Sequence, residues 1–280
     1  MANSRKKIID TFLFFNEIDL LKVRLSYLGD QVENFFIVEA NCDFSGKIKP
    51  FYLEDHIHEM PFAEKIIYQK LMIDINNYKW LLKRLRWILR KHKFLWKIQD
   101  VQRNTLSILI KNYSKKYDYI LFGDLDEIPN VNFLTKLKTG EISLVKPHVL
   151  SQRCFYYNYN FSSPQEDWLG TLCIPKEIFF EQEPSVWRHI RQRLAHESEG
   201  GFHFSYFMPP HKIIEKIKAI AEVEKLEEYL NIDEQKLINI IFTNQDIFGR
   251  NLGFINQSGL VPADLLALIE FYLPYLILEE

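Results

Sequence analysis

The residues best equipped for chemistry lie at positions 117–129: Tyr117-Asp118-Tyr119-Ile120-Leu121-Phe122-Gly123-Asp124-Leu125-Asp126-Glu127-Ile128-Pro129. An apolar, aromatic run ends in three acids and a proline. Aromatic and branched side chains suit a covered, pleated surface, so the run reads as a buried strand. Open α/β sheets place their ligands at the carboxyl ends of such strands. Asp124 and Asp126 are two residues apart, and on a continuing strand they point the same way. Converging carboxylates repel unless something positive sits between them. A hard divalent cation that also grips phosphate oxygens meets that need. An isolated Asp-x-Asp is more simply a solvated turn after a core strand. Three crowded acids at the end of an apolar strand favour a site.

Those acids need elements to position them. Residues 8–15 read as a strand, and residues 16–28 carry apolar side chains at helical spacing, with Asn16 as the cap. Residues 35–39 form a second strand ending in Glu39, and residues 66–73 a third. Residues 100–113 are helical and feed the acid-bearing strand at 119–122. This strand–helix alternation predicts an α/β fold with a mostly parallel central sheet and helices on both faces. Later segments are less regular. Residues 150–161 are rich in aromatics, Pro209-Pro210 precedes a helix at about 212–229, and 243–253 is a polar loop holding Asp246 and Arg250.

Bulk properties narrow the classes. The 280 residues are 47% apolar and 15% aromatic, which suits a folded chain with a sizeable core. No repeat or low-complexity linker divides them, so one domain over 1–280 is expected. A net charge of −2 gives no general attraction to nucleic acid. Cys42, Cys154 and Cys173 lack metal-binding spacing and read as reduced core thiols. With no secretory pattern at the start and no uninterrupted apolar span, a cytoplasmic location is expected. Residues 79–97 stand apart: eight Lys or Arg, no acid, and Trp80, Trp87 and Trp96. They form a basic amphipathic segment, at about 76–97, with two readings. It packs on the domain with snorkelling cations, or it makes peripheral contact with an anionic membrane or a lipid-linked acceptor.

Several of these blocks together resemble glycosyltransferase family 17, the family of the bisecting N-acetylglucosaminyltransferase. The opening Ile9-Asp10-Thr11-Phe12-Leu13-Phe14-Phe15-Asn16-Glu17-Ile18-Asp19-Leu20-Leu21 is similar to that family's start. Val38-Glu39-Ala40-Asn41 and Phe44-Ser45-Gly46-Lys47 resemble its next block, and Asp124-Leu125-Asp126-Glu127-Ile128-Pro129 its acidic motif. Gly200-Gly201-Phe202-His203-Phe204-Ser205-Tyr206-Phe207 resembles a Gly-Trp-His-x-Ser segment, with Phe202 in place of tryptophan. Asp246-Ile247-Phe248-Gly249-Arg250 resembles a late motif. The blocks are collinear over nearly the whole chain, and the match is poorest in the basic segment.

The resemblance implies a GT-A fold and metal-dependent, inverting transfer of a sugar to a glycan acceptor. N-acetylglucosamine is the first choice of sugar, from UDP-GlcNAc, and the metal would be Mn2+ or Mg2+. Charge on the leaving diphosphate must be neutralised as the glycosidic bond breaks. Asp126 would hold the metal, Asp124 the metal or the ribose, and His203 would be a third ligand; a histidine between two phenylalanines is otherwise a core residue. Glu17 and Glu39 would sit at strand ends near the nucleoside. Arg103 and Arg250 would reach the diphosphate, surface roles being the alternative. Inversion needs a carboxylate base to take the acceptor proton. Asp246 is the first choice, with Asp167 and Glu197 as rivals, and Trp168 could stack on an acceptor sugar. Two other classes compete. A haloacid dehalogenase-type phosphatase would use Asp124 as nucleophile, but the chain lacks that family's second acidic pair. A non-catalytic, membrane-peripheral sugar-binding module would need no acidic turn.

Overall fold

The computed structural model describes residues 5–76, 91–113, 115–219, 233–243 and 245–276. Most of the basic segment, residues 77–90, lies outside them, as does the second half of the helix expected at 212–229. Four parallel strands form one half of the sheet: β1 (Ile8–Phe14), β2 (Asn34–Ala40), β3 (Ile66–Leu71) and β4 (Tyr119–Asp124). β1 and β2 are buried at every position, as strands covered on both faces must be. Alternate residues feed two cores. Ile8, Phe12, Phe35 and Leu121 pack with helix α1 (Ile18–Leu28) on one face. Ile9, Leu13, Phe36 and Phe122 pack on the other with Leu106 and Ile110 of helix α2 (Lys91–Lys111).

The second half departs from the mostly parallel sheet expected. β5 (Glu127–Pro129), β6 (His148–Tyr156), β7 (Phe161–Pro175), β8 (Ala195–Ser205) and β9 (Ile255–Asn256) complete a nine-stranded mixed sheet. Its order is β3-β2-β1-β4-β7-β6-β8-β5, with β9 on β7. Among the described residues of this half β6 and β8 pair in parallel, while β4–β7, β6–β7, β5–β8 and β7–β9 are antiparallel. β7 and β8 lack a continuous apolar run that would mark them in the sequence, since β7 carries the polar stretch 162–167 and β8 the polar stretch 196–199. The helix start also differs from expectation. Glu17, not Asn16, occupies the cap position, and its side chain makes no capping bond.

This topology places a crevice. The chain moves outward from β1 to β2 and β3, then returns to β4 on the other side of β1. Such a switch point opens a cleft beyond the carboxyl ends of the strands. The acidic turn follows β4 at that place, and β5 then runs against β8, pairing Glu127 with His203. Gly201 allows this closure: at φ +143° it sits where a Cβ would lie 2.2 Å from the Ile128 carbonyl oxygen. Among the described residues no helix is long and apolar enough to cross a membrane.

Candidate active site

A cleft of about 330 Å3 lies at the carboxyl ends of β1, β2 and β4, within the range of small-ligand sites. Leu13, Phe14, Phe15 and Phe44 give it apolar walls; Glu17, Asp43, Lys49, Asp124, Asp126 and Lys216 give it charge. The three acids of the turn have separate roles. Glu127 is fully buried and folds back under the end of β4. Its Oε2 accepts from the Asp124 amide at 2.9 Å, and its Oε1 from the Trp168 indole at 2.7 Å. Gly123 makes room, since a Cβ there would lie 2.9 Å from Glu127 Oε2. Glu127 is therefore a brace for the turn.

Asp124 faces the cleft with both carboxylate oxygens on guanidinium groups. Arg188, from helix α3 (Pro184–Ile190), contacts Oδ2 at 2.5 Å, and Arg103 of α2 reaches Oδ1 at 3.3 Å. Arg188 also grips Glu127, at 2.9 and 2.5 Å. Burial works against the charge on Asp124, but Arg188, Arg103 and Arg191 outweigh it and hold the carboxyl far below the usual range. Burial, with Arg188 beside it, lowers Arg191 to about 10.

Asp126 has different company. Its Oδ2 accepts from Lys216 Nζ at 2.8 Å, and its Oδ1 lies 3.7 Å from His203 Nε2. Lys216, on helix α4 (Pro210–Ala219), also contacts Glu17 Oε1 at 3.1 Å. Burial opposes the Asp126 charge, yet Lys216 and His203 lower its pKa. For His203 burial outweighs the nearby Asp126 and lowers the imidazole below its ordinary pKa. Its ring stacks on Trp168, centroids 4.3 Å apart and planes 12° apart, and its Nδ1 lies 3.4 Å from Cys154 Sγ. The Arg191 guanidinium lies 5.0 Å from the Trp168 ring, so cation, indole and imidazole adjoin in series.

One arginine holds the whole turn from behind. Arg24 of α1, fully buried, donates to both oxygens of Asp10 on β1 at 2.8 Å. Its Nη1 reaches the carbonyl oxygens of Asp124, Leu125 and Glu127 at 3.0, 3.0 and 2.8 Å. Polar backbone in a buried turn must be bonded, and a forked cation aimed at three carbonyls does this.

The expected site residues divide into two groups. Glu17, Arg103, Asp124, Asp126 and His203 gather around the cleft. Glu39 does not: it is fully buried, bonded to Lys49 at 2.6 Å, the Tyr68 hydroxyl at 2.7 Å, and the Tyr52 and Leu53 amides at 2.7 and 3.1 Å. It positions Lys49, which does line the cleft. Asp246 and Arg250 bond each other at 2.8 and 3.0 Å, and Asp246 Oδ2 also accepts two loop amides. Neither lines the cleft. Glu197 pairs with His148 at 2.5 Å, six residues back along β8 from His203. Asp167 lies on β7 opposite Arg153, its side chain outside the described part. Sequence reading missed Arg24, Arg188, Arg191, Lys216 and Asp43. The i, i+3 spacing of Arg188 and Arg191 after Pro184 was the one available signal.

Asp124, Asp126 and His203 do not fit a divalent ion as they stand. Both Asp124 oxygens are bonded to arginine, and an ammonium holds Asp126 Oδ2. Among the described residues, no three His, Cys, Asp or Glu side chains converge as a ligand set.

The family model described as glycosyltransferase family 17 matches residues 1–251. The chain belongs to glycosyltransferase family 17. The family-17 match takes in every cleft residue named above, and the helix Ala263–Tyr272 that packs on α1 lies beyond it. No curated protein matches the chain. Solved structures with some likeness include a glycosyltransferase involved in the glycosylation of the major capsid of PBCV-1, at 9% identity and TM-score 0.29. The match covers 66% of this chain and 66% of that one, so the chain spans just under two thirds of that protein's length. Another is 4-diphosphocytidyl-2C-methyl-D-erythritolsynthase from Anaerococcus prevotii DSM 20548, at 11% identity over 97% of this chain and 98% of that one, TM-score 0.32. Mouse xyloside xylosyltransferase 1 is 10% identical over 96% of this chain and 82% of that one, TM-score 0.30. At such TM-scores these likenesses decide nothing about family-17 chemistry in this chain.

Proposed function

We propose that this family-17 chain transfers a sugar from a nucleotide-diphosphate donor to a glycan acceptor, with inversion at the anomeric carbon. The observation that carries the reading is the cleft itself. Aromatic walls at the ends of β1 and β2 suit a nucleoside, and the acidic turn after β4 meets Lys216 where a diphosphate would follow. N-acetylglucosamine, from UDP-GlcNAc, is the sugar that the family resemblance favours. Of the carboxylates expected as acceptor base, Asp246 is bonded to its own loop; Asp167, next to the cleft residue Trp168, is the one retained.

A phosphatase would need Asp124 as nucleophile, and two guanidinium groups already engage its oxygens, which supports the transferase reading instead. A cytoplasmic setting, with residues 79–97 touching a membrane that bears a lipid-linked acceptor, is a separate proposal; failure of the intact protein to bind anionic vesicles at low salt would remove it. The transferase itself is tested with a panel of nucleotide sugars, scored for nucleotide release by wild type and Asp126→Ala. Release from one donor, lost in the variant, supports the reading. No release from any donor returns the chain to a binding module.

A further inference from the structure

Lys216 stands between two carboxylates, 3.1 Å from Glu17 Oε1 and 2.8 Å from Asp126 Oδ2, and its side chain lines the cleft. An ammonium has three N–H donors. Two face these acids and leave a third for a ligand. Each acid of the turn already has a cation: Glu17, Asp124, Asp126 and Glu127 stand against Arg103, Arg188, Arg191 and Lys216, while Asp43 across the cleft accepts from the Ser45 hydroxyl and the Lys47 amide. A divalent ion is drawn to converging carboxylates free of other cations, but Asp124 and Asp126 each already carry one, and no three ligand side chains converge among the described residues. A diphosphate entering the same space meets a ready cation with an unspent donor.

We propose that the Lys216 ammonium is the resident cation of the donor site and takes up the charge of the departing diphosphate, so that sugar transfer proceeds without a divalent ion. This rests on the transferase reading above. In the step, the acceptor hydroxyl oxygen bonds to the anomeric carbon. The bond from that carbon to the β-phosphate oxygen breaks, and its electron pair leaves on the diphosphate. The acceptor proton passes to the carboxylate base, and Lys216 donates a hydrogen bond to the oxygen that gains charge. Glu17 and Asp126 hold the ammonium in place, and the Tyr206 ring lies 5.9 Å from it.

The test uses the whole chain with the donor found in the panel, and UDP as the binding probe. Wild type should release nucleotide in EDTA within about twofold of its rate in Mn2+, and UDP should bind equally in both. Lys216→Met should lose on the order of 100-fold in turnover in either medium and at least tenfold in UDP affinity, with Lys216→Arg recovering part of both. Thermal melts of each variant separate these losses from misfolding. Turnover that demands Mn2+, or a Lys216→Met enzyme as active as wild type with Mn2+, overturns the role of the lysine and leaves the transferase standing. No turnover of any donor, with metal or without, overturns both.

Discussion

The turn at 124–127 and the loop at 246–250 each set an acid in a bend that resembles a family motif, and each acid is bonded to arginine. They differ in who satisfies the acid. Asp246 is bonded by its own loop, from Phe248 and Arg250, two and four residues on. Asp124 and Asp126 are bonded by Arg103, Arg188 and Lys216, which three helices deliver, and Asp126 also faces His203 of a distant strand. A carboxylate closed by its neighbours shapes a loop. One held by remote cations at a strand end can exchange a partner for a ligand.

The sharpest way to break this contrast is to neutralise one acid in each place. Asp126→Asn is expected to cut nucleotide release on the order of 100- to 1000-fold, about 3–4 kcal/mol in transition-state terms, with little change in melting temperature. If Asp246→Asn matched that loss and Asp126→Asn did not, the assignment of the two regions would be reversed. Arg24→Met tests whether the turn is held from behind. It leaves Asp10 buried without its partner and removes the guanidinium donor from the Asp124 and Leu125 carbonyls, while the Glu127 carbonyl keeps the Thr171 hydroxyl, so denaturant unfolding should show a loss of about 3–5 kcal/mol. A smaller loss with full activity would mean that the turn holds itself.

Asp124 sharpens the comparison through pH. Its folded pKa is depressed, against a value of about 4 in the unfolded chain. Its contribution is thus fully present above pH ~4 and is lost as pH falls toward the folded value. Urea midpoints measured from pH 7 to pH 3 should drop at the acid end for wild type and fall less steeply for Asp124→Asn. The smallest effect belongs to Asp246→Asn. Losing the charge of the buried Asp246 carboxylate on half-exposed Arg250 should cost about 1 kcal/mol of stability and change nucleotide release by less than about twofold.

The parallel half of the fold was legible because its strands are buried on both faces and announce themselves as apolar runs, as 8–14, 34–40 and 119–124 do. The acidic turn was legible for the same reason: charge stands out after Ile120-Leu121-Phe122. The antiparallel half was not, because β7 runs fifteen residues with changing partners and carries a register shift against β6. The site was half legible. His203 and Asp126 lie in recognisable motifs, but what a carboxylate faces is a tertiary fact. Glu39 and Asp246 have the same local signature as Glu17, and only packing shows that their oxygens are turned inward and bonded. Arg24 looked like one polar residue on an amphipathic helix, and three of its five bonds run to residues 100 or more positions away.

That arginine also bears on how the molecule is assembled over time. Its contacts span 14 residues to Asp10 and 100 or more to the turn. The first strand and helix can therefore meet early, while the turn waits for the closure of a loop of about a hundred residues, a slow and entropically costly event. A partly folded chain would already have its nucleoside walls from β1 and β2 but no ordered acids. In refolding from urea, recovery of nucleotide release should then follow the slowest structural phase. The amides of the turn should gain hydrogen-exchange protection with that phase, after those of β1 and α1.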